Sequence, residues 1–85
     1  MTVKLLYFAW VREKAGRAEE HVELPASAKT IADVIAWLKT RGPEFAEAFE
    51  RGEVIRAAIN QSHVKHTAAI DGAREIAFFP PVTGG

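Results

Sequence analysis

Residues 3–10, VKLLYFAW, are apolar on both parities of an extended chain: Val3, Leu5 and Tyr7 fall on one side, Leu6 and Phe8 on the other. Successive strand side chains point to opposite faces. Such a segment is therefore either central in a sheet or carries a second contact surface on its far side. Both readings require neighbouring strands, and only 85 residues are present to supply them. That length predicts one domain with a modest stability margin. Apolar residues make up 48% and charged residues 26%, the balance of a chain that folds around a core.

The remaining segments supply those neighbours. REKAGRAEE (12–20) is polar, carries Gly16 and reads as a turn. HVEL (21–24) alternates as a short strand that Pro25 ends. A helix follows. Thr30 suits an N-cap, with Asp33 in the first turn. Ile31, Val34, Ile35 and Leu38 keep the i, i+3, i+4, i+7 spacing of one buried face. Burying those four contributes about 6–12 kcal/mol gross, an upper bound because unfolded chains are partly compact. Gly42 and Pro43 close this helix, and Trp37 covers its flank.

PEFAEAFE (43–50) predicts a short second helix with Phe45 and Phe49 one turn apart. VIRAAINQS (54–62) reads as a strand, HVKHTAAI (63–70) as a weaker one, Asp71-Gly72 as a turn and REIAFF (74–79) as the last strand. A tight hairpin at the start, one main helix over the sheet, and a last strand parallel to the first at a sheet edge make a β-grasp, ubiquitin-like α+β arrangement. Other α+β topologies share the order alone. The expected organisation is a domain over 1–79 and a flexible reactive tail over 80–85, with no repeats or low-complexity tracts.

Several chemistries fall away on composition. With no cysteine there is no disulfide scaffold, thiolate metal site or cysteine nucleophile. Eleven basic residues balance eleven acidic ones without a basic run, which argues against nucleic acid as a partner. No stretch approaches the ~20 apolar residues of a membrane span, and the N-terminus lacks a basic leader. A cytoplasmic protein is expected. Of the three histidines, His63 and His66 lie three apart on a predicted strand and point to opposite faces. With His21 they make no metal site. Glu19, Glu20 and Glu23 read as protective charge on an edge strand. Glu44, Glu47 and Glu50 read as a helix's solvent face. Ser27 and Ser62 have no evident histidine–acid partners, and a glycine-rich phosphate loop is absent.

One helix and a short second one leave part of the sheet bare, so Leu6 and Phe8 are expected outward, with one of Phe78 and Phe79 beside them as a partner surface. Next to it comes PPVTGG (80–85). Extended, those six residues span at most about 20 Å, at ~3.3–3.6 Å each. Pro80 and Pro81 keep the first part extended. Gly84 and Gly85 lack a Cβ, so the end fits a channel too narrow for a side chain. A thin, reachable carboxyl end is what an acyl-activating enzyme requires.

These segments, VKLLYFAWVREKAG, AAINQS and above all DGAREIAFFPPVTGG, resemble the small, sulfur-carrying subunits of molybdopterin synthase across essentially the whole chain. The resemblance implies that the Gly85 carboxylate is adenylated by an ATP-dependent activating enzyme and converted to a thiocarboxylate. The tail would then enter the large synthase subunit and give sulfur to cyclic pyranopterin monophosphate, forming the molybdopterin dithiolene. It implies a heterotetramer, with acid–base and substrate-binding groups on the large subunit and no cofactor held permanently by this chain. On this sequence Gly85 becomes the sulfur acceptor and Gly84 gives clearance beside it. Pro80, Pro81, Val82 and Thr83 are the threaded lead. Phe8 and Phe79 are expected as apolar anchors, with Arg12 and His63 at their rim. Sulfur carriage to thiamine or tRNA thiolation is the neighbouring alternative. A ubiquitin-like modifier joined to lysines through Gly85 is an alternative of another class, and an interaction domain with an inert tail is the plainest.

Overall fold

The computed structural model describes residues 1–81. Five strands form one mixed sheet: β1 (Thr2–Tyr7), β2 (Glu19–Glu23), β3 (Arg56–Ile59), β4 (Ser62–Val64) and β5 (Glu75–Phe79). Their spatial order is β2-β1-β5-β3-β4. β1 pairs antiparallel with β2 and parallel with β5, placing Leu5 beside Ile76 and Tyr7 beside Phe78. β5 also pairs antiparallel with β3, so it is the middle strand of five and not an edge. Order along the chain could not reveal this, because β3 and its hairpin partner β4 add to the far side of β5.

Three helices, α1 (Ala9–Ala15), α2 (Ile31–Leu38) and α3 (Pro43–Ala48), contribute to one core with a single face of the sheet. α1 corrects the expected turn over 12–20 and the expected strand through Trp10. Ala9 adopts φ 52°, which ends the extended run at once. Val11 and Ala15, one turn apart, are then buried. Gly16 closes the helix at φ 78°, its N–H donating to the Arg12 carbonyl at 2.9 Å. β1 and β2 are thus joined through a helix and not through a tight turn. Two small buried residues among charged ones give too sparse a stripe to read as helical.

α2 follows its pattern: Ile31, Val34, Ile35 and Leu38 are all buried. Its capping box is complete. The Asp33 N–H donates to Thr30 Oγ1 at 3.2 Å, and Asp33 Oδ2 accepts from the Thr30 N–H at 3.1 Å and the Lys29 N–H at 2.9 Å. Aspartate serves where glutamate is commoner. Those backbone donors, Lys29 first, hold its carboxyl below the usual range. Gly42 and Pro43 do not close α2, which ends at Leu38 with Lys39 as its C-cap; they are the N-cap and the first residue of α3.

The predicted strand over 54–62 contains a hairpin instead. Asn60 (φ 48°) and Gln61 (φ 72°) form its two-residue turn, bringing Ile59 opposite Ser62. The weak strand over 63–70 shrinks to β4, and the following loop binds α2 through Ile31 N–H to Ala68 carbonyl (3.1 Å) and Ala32 N–H to His66 carbonyl (3.0 Å). Among the described residues no helix is long and apolar enough to cross a membrane.

Aromatic rings join α3 and its C-cap Phe49 to β1 and β5. Phe78 lies 5.3 Å from Phe49 edge-on and 6.4 Å from Tyr7 in a stacked arrangement, and Tyr7 lies 6.1 Å from Phe45. Such pairs add to the burial term. Phe78→Ala is therefore expected to destabilise the fold by about 3–5 kcal/mol, read as a lower midpoint in urea denaturation.

Candidate functional site at the root of the tail

The face of the sheet turned away from the helices bears Lys4 and Leu6 on β1, Glu75, Ala77 and Phe79 on β5, Arg56 and Ala58 on β3, and His63 on β4. The register aligns Leu6, Ala77, Ala58 and His63 in one row across four strands. Two alanines between larger side chains make that row shallow at its middle. The expected split of the last strand is present: Phe78 lies fully in the core, and Phe79 is half-buried on the open face. Its ring centroid is 5.1 Å from that of His63.

Phe8 stands directly after β1. Its N–H continues the parallel ladder to the Phe78 carbonyl at 3.1 Å, and its own carbonyl accepts from Val11 and Arg12 N–H at 3.1 and 3.3 Å. The backbone is thereby fixed while the ring stays 46% exposed. Phe8 thus belongs to the turn into α1, where Ala9's left-handed backbone sits, and not to the strand's outer face. Arg12 is exposed on α1, one turn farther. Pro80 and Pro81 are half-buried. Val82, Thr83, Gly84 and Gly85 lie outside the described residues.

Asn60 positions the start of this strand. Its Oδ1 accepts from the Arg74 and Glu75 N–H groups at 2.9 and 3.1 Å. Its role was hidden in the sequence because nothing there distinguished the hairpin turn from the strand around it. Beside the exit of β5 lies an open cleft of ≈ 510 Å³ whose lining includes Val54, Arg56, Lys65, His66 and Pro81.

The histidines do not gather. His21 is on β2 at the opposite edge, and His66 lies beyond β4 with Nε2 2.6 Å from the Ile55 carbonyl. Among the described residues no three His, Cys, Asp or Glu side chains form a metal-binding group.

One carboxylate departs from its expected role. Glu20 is not free edge charge, its side chain being 13% exposed. Oε2 accepts from the Tyr7 hydroxyl (2.6 Å) and Arg41 Nη1 (2.7 Å), and Oε1 accepts from Arg41 Nη2 (3.1 Å) and Arg17 Nη1 (3.2 Å). Both guanidinium groups also lie over the Phe45 ring, at 4.9 and 4.6 Å. Burial by itself raises the Glu20 pKa, but hydrogen bonds from Arg41 and Tyr7 and the two positive charges bring it below the ordinary carboxylate value. Burial, then the Glu20 contact, pushes the Tyr7 hydroxyl above its usual range. With both oxygens saturated, this group ties β1, β2 and the α2–α3 connection together and has no lone pair left for chemistry.

The ThiS family profile covers residues 5–85. The chain belongs to the ThiS family. Within it, the chain is 36% identical over 83 residues to the molybdopterin synthase sulfur carrier subunit of Escherichia coli (strain K12), covering 98% of this chain and 99% of that protein. Among solved structures, a putative molybdopterin converting factor subunit 1 from Pyrococcus furiosus superposes with a TM-score of 0.74 at 32% identity, covering 96% of this chain and 99% of that one. The small archaeal modifier protein 1 of Methanosarcina acetivorans gives 0.70 at 26%, covering 99% and 96%. This ThiS-family chain therefore shares its fold with a putative molybdopterin converting factor subunit and with a small archaeal modifier protein.

Because the folded-state pKa of Glu20 is depressed, its contribution to stability is complete above the ordinary carboxylate value and is lost as pH falls through the depressed one. Glu20→Gln is expected to cost about 1–2 kcal/mol at neutral pH and to flatten the acid limb of a plot of melting temperature against pH. An unchanged acid limb contradicts this.

Proposed function

We propose that this chain is the sulfur-carrying subunit of a molybdopterin synthase, and that Gly85 is the residue that bears the sulfur. The likeness to carriers of that name over nearly the whole chain supports the reading, and the departure of the chain from the central strand at Pro80, with PPVTGG as its sequence from there, is the observation that carries it. Without cysteine, sulfur has to travel on a carbon of the chain itself.

The chemistry begins with a poor electrophile. A Gly85 carboxylate oxygen attacks the α-phosphorus of ATP on an activating enzyme, releasing pyrophosphate and leaving an acyl-adenylate. A persulfide-type donor then displaces AMP at the acyl carbon to give an acyl disulfide. A thiol reductant attacks the donor-side sulfur, breaking the S–S bond so that the thiocarboxylate leaves and donor and reductant are joined as a disulfide. That group is ionised at neutral pH and nucleophilic. Inside the large subunit it is positioned against cyclic pyranopterin monophosphate and shielded from water. Two such transfers complete the dithiolene. ATP is consumed by the activating partner, and this chain acts in the cytoplasm without a resident cofactor. Acid–base groups belong to the large subunit, so this chain is a reagent-bearing subunit and not an enzyme alone.

Phe8 and Phe79 serve as the apolar anchors, with Arg12 and His63 around them. A ring that is 46% exposed on an otherwise hydrogen-bonded backbone suits a desolvated contact. The likeness to a small archaeal modifier favours one second reading, ligation of Gly85 to lysines of other proteins. Stable isopeptide conjugates in cells would mark it.

In a reconstituted system with the large subunit, deletion of Gly84 and Gly85 is expected to abolish dithiolene formation while the melting curve stays that of the intact chain. Phe8→Ala is expected to weaken binding of the large subunit by about 10- to 100-fold and to change stability by less than about 0.5 kcal/mol. Product formation by the truncated chain contradicts the assignment.

A further inference from the structure

The charges on the sheet are unevenly matched. At the β2 edge every carboxylate has a cation: Glu19 has Lys4 at 3.5 Å, Glu20 has Arg17 and Arg41, and Glu23 has the N-terminal ammonium. At the other edge Arg56 and Lys65 have no carboxylate within 4.0 Å among the described residues. Both are exposed and line the ≈ 510 Å³ cleft that Pro81 borders. The carboxylate in that lining, Glu53, is already near Arg51 Nε at 3.7 Å. His66 is engaged with the Ile55 carbonyl, so among the described residues the uncommitted charge of the cleft is that of Arg56 and Lys65.

We propose that this cleft docks a carboxylate-bearing segment of the protein that receives the tail, beside the mouth of the cavity the tail enters. Location supports a protein partner. Arg56 lies opposite Phe79 in the sheet register, so the cationic cleft is continuous with the apolar anchor. Four residues beyond Pro81 reach at most about 13–14 Å. Whatever encloses Gly85 must therefore come close to these cations. Charge supports an acidic one. The chain as a whole is neutral, so the local excess at the tail's root is not part of a general attraction for polyanions.

Magnitudes decide what the cleft does. Exposed ion pairs contribute only about 0–1 kcal/mol each, too little to hold a complex. Complementary fields accelerate encounter by about 10- to 1,000-fold. The β2 edge, whose carboxylates are already paired, and the basic cleft lie at opposite ends of the sheet, so the unpaired charge sits on the side from which the tail leaves and favours approach with that side forward. Arg56 and Lys65 steer the approach, and the aromatic anchors hold the result.

The inference rests on the sulfur-carrier reading for the identity of the partner, and association kinetics separate the two. Full-length wild type and the Arg56→Glu/Lys65→Glu variant are each mixed with the large subunit in stopped flow, at about 50 mM and about 1 M salt. The variant is expected to associate about tenfold or more slowly at low salt, to match wild type at high salt, and to dissociate at a nearly unchanged rate. Equal association rates at low salt overturn the cleft's role while leaving the sulfur-carrier reading intact. A loss that persists at high salt also overturns it, because screening would have removed a charge effect. Saturable binding of inorganic phosphate alone to the cleft, abolished in the variant, reassigns it to a small anion. Failure of wild type to bind the subunit at either salt overturns both readings.

Discussion

β5 is held on both sides, parallel to β1 and antiparallel to β3, and both the aromatic core and the open face of the sheet are referred to that strand. Two ladders fix its backbone from Glu75 to Phe79. Pro80 and Pro81 then carry no amide proton, so neither donates to a ladder. The change from paired strand to lead is thus set by residue chemistry. Phe78 points into the aromatic core while its neighbour Phe79 stays on the open face, and a one-residue slip would exchange them. The core that resists that slip therefore also positions the surface.

The two faces divide the labour. Towards the helices, Tyr7, Phe45, Phe49 and Phe78 supply packing, and Glu20 with its two arginines closes the polar rim above Phe45. Removing one partner from that rim leaves charged donors unsatisfied, which is why a residue at the surface edge matters to folding. Towards the open side, small alanines and half-buried Leu6 and Phe79 leave room and apolar area, and exposed Phe8 stands apart at the turn into α1. A sheet covered on one side only has its second side available for partners, and the chain leaves β5 at Pro80 beside that side.

Much of this was legible in the residues because the signals are local. Spacing gave the buried face of α2, Thr30 and Asp33 gave its cap, and the apolar character of VKLLY and EIAFF marked two strands. The parts that were not legible depend on partners far along the chain or on backbone torsions. α1 buries only Val11 and Ala15, and its start needs a left-handed alanine that no propensity favours. The β3–β4 turn uses Asn60-Gln61 without the glycine that usually marks such a hairpin. Glu20 becomes a structural hub only through Arg41, 21 positions away. β5 becomes central only because β3 pairs on its far side.

A carrier of this kind differs from an adaptor in one atom at the end of the chain. The direct measurement is the intact mass of the protein after incubation with ATP, the adenylating enzyme and a sulfur donor. Replacement of one oxygen by sulfur, located to Gly85 by fragmentation and absent without ATP, is the predicted result. A mass that stays unchanged under conditions where the activating enzyme thiocarboxylates another carrier contradicts the account.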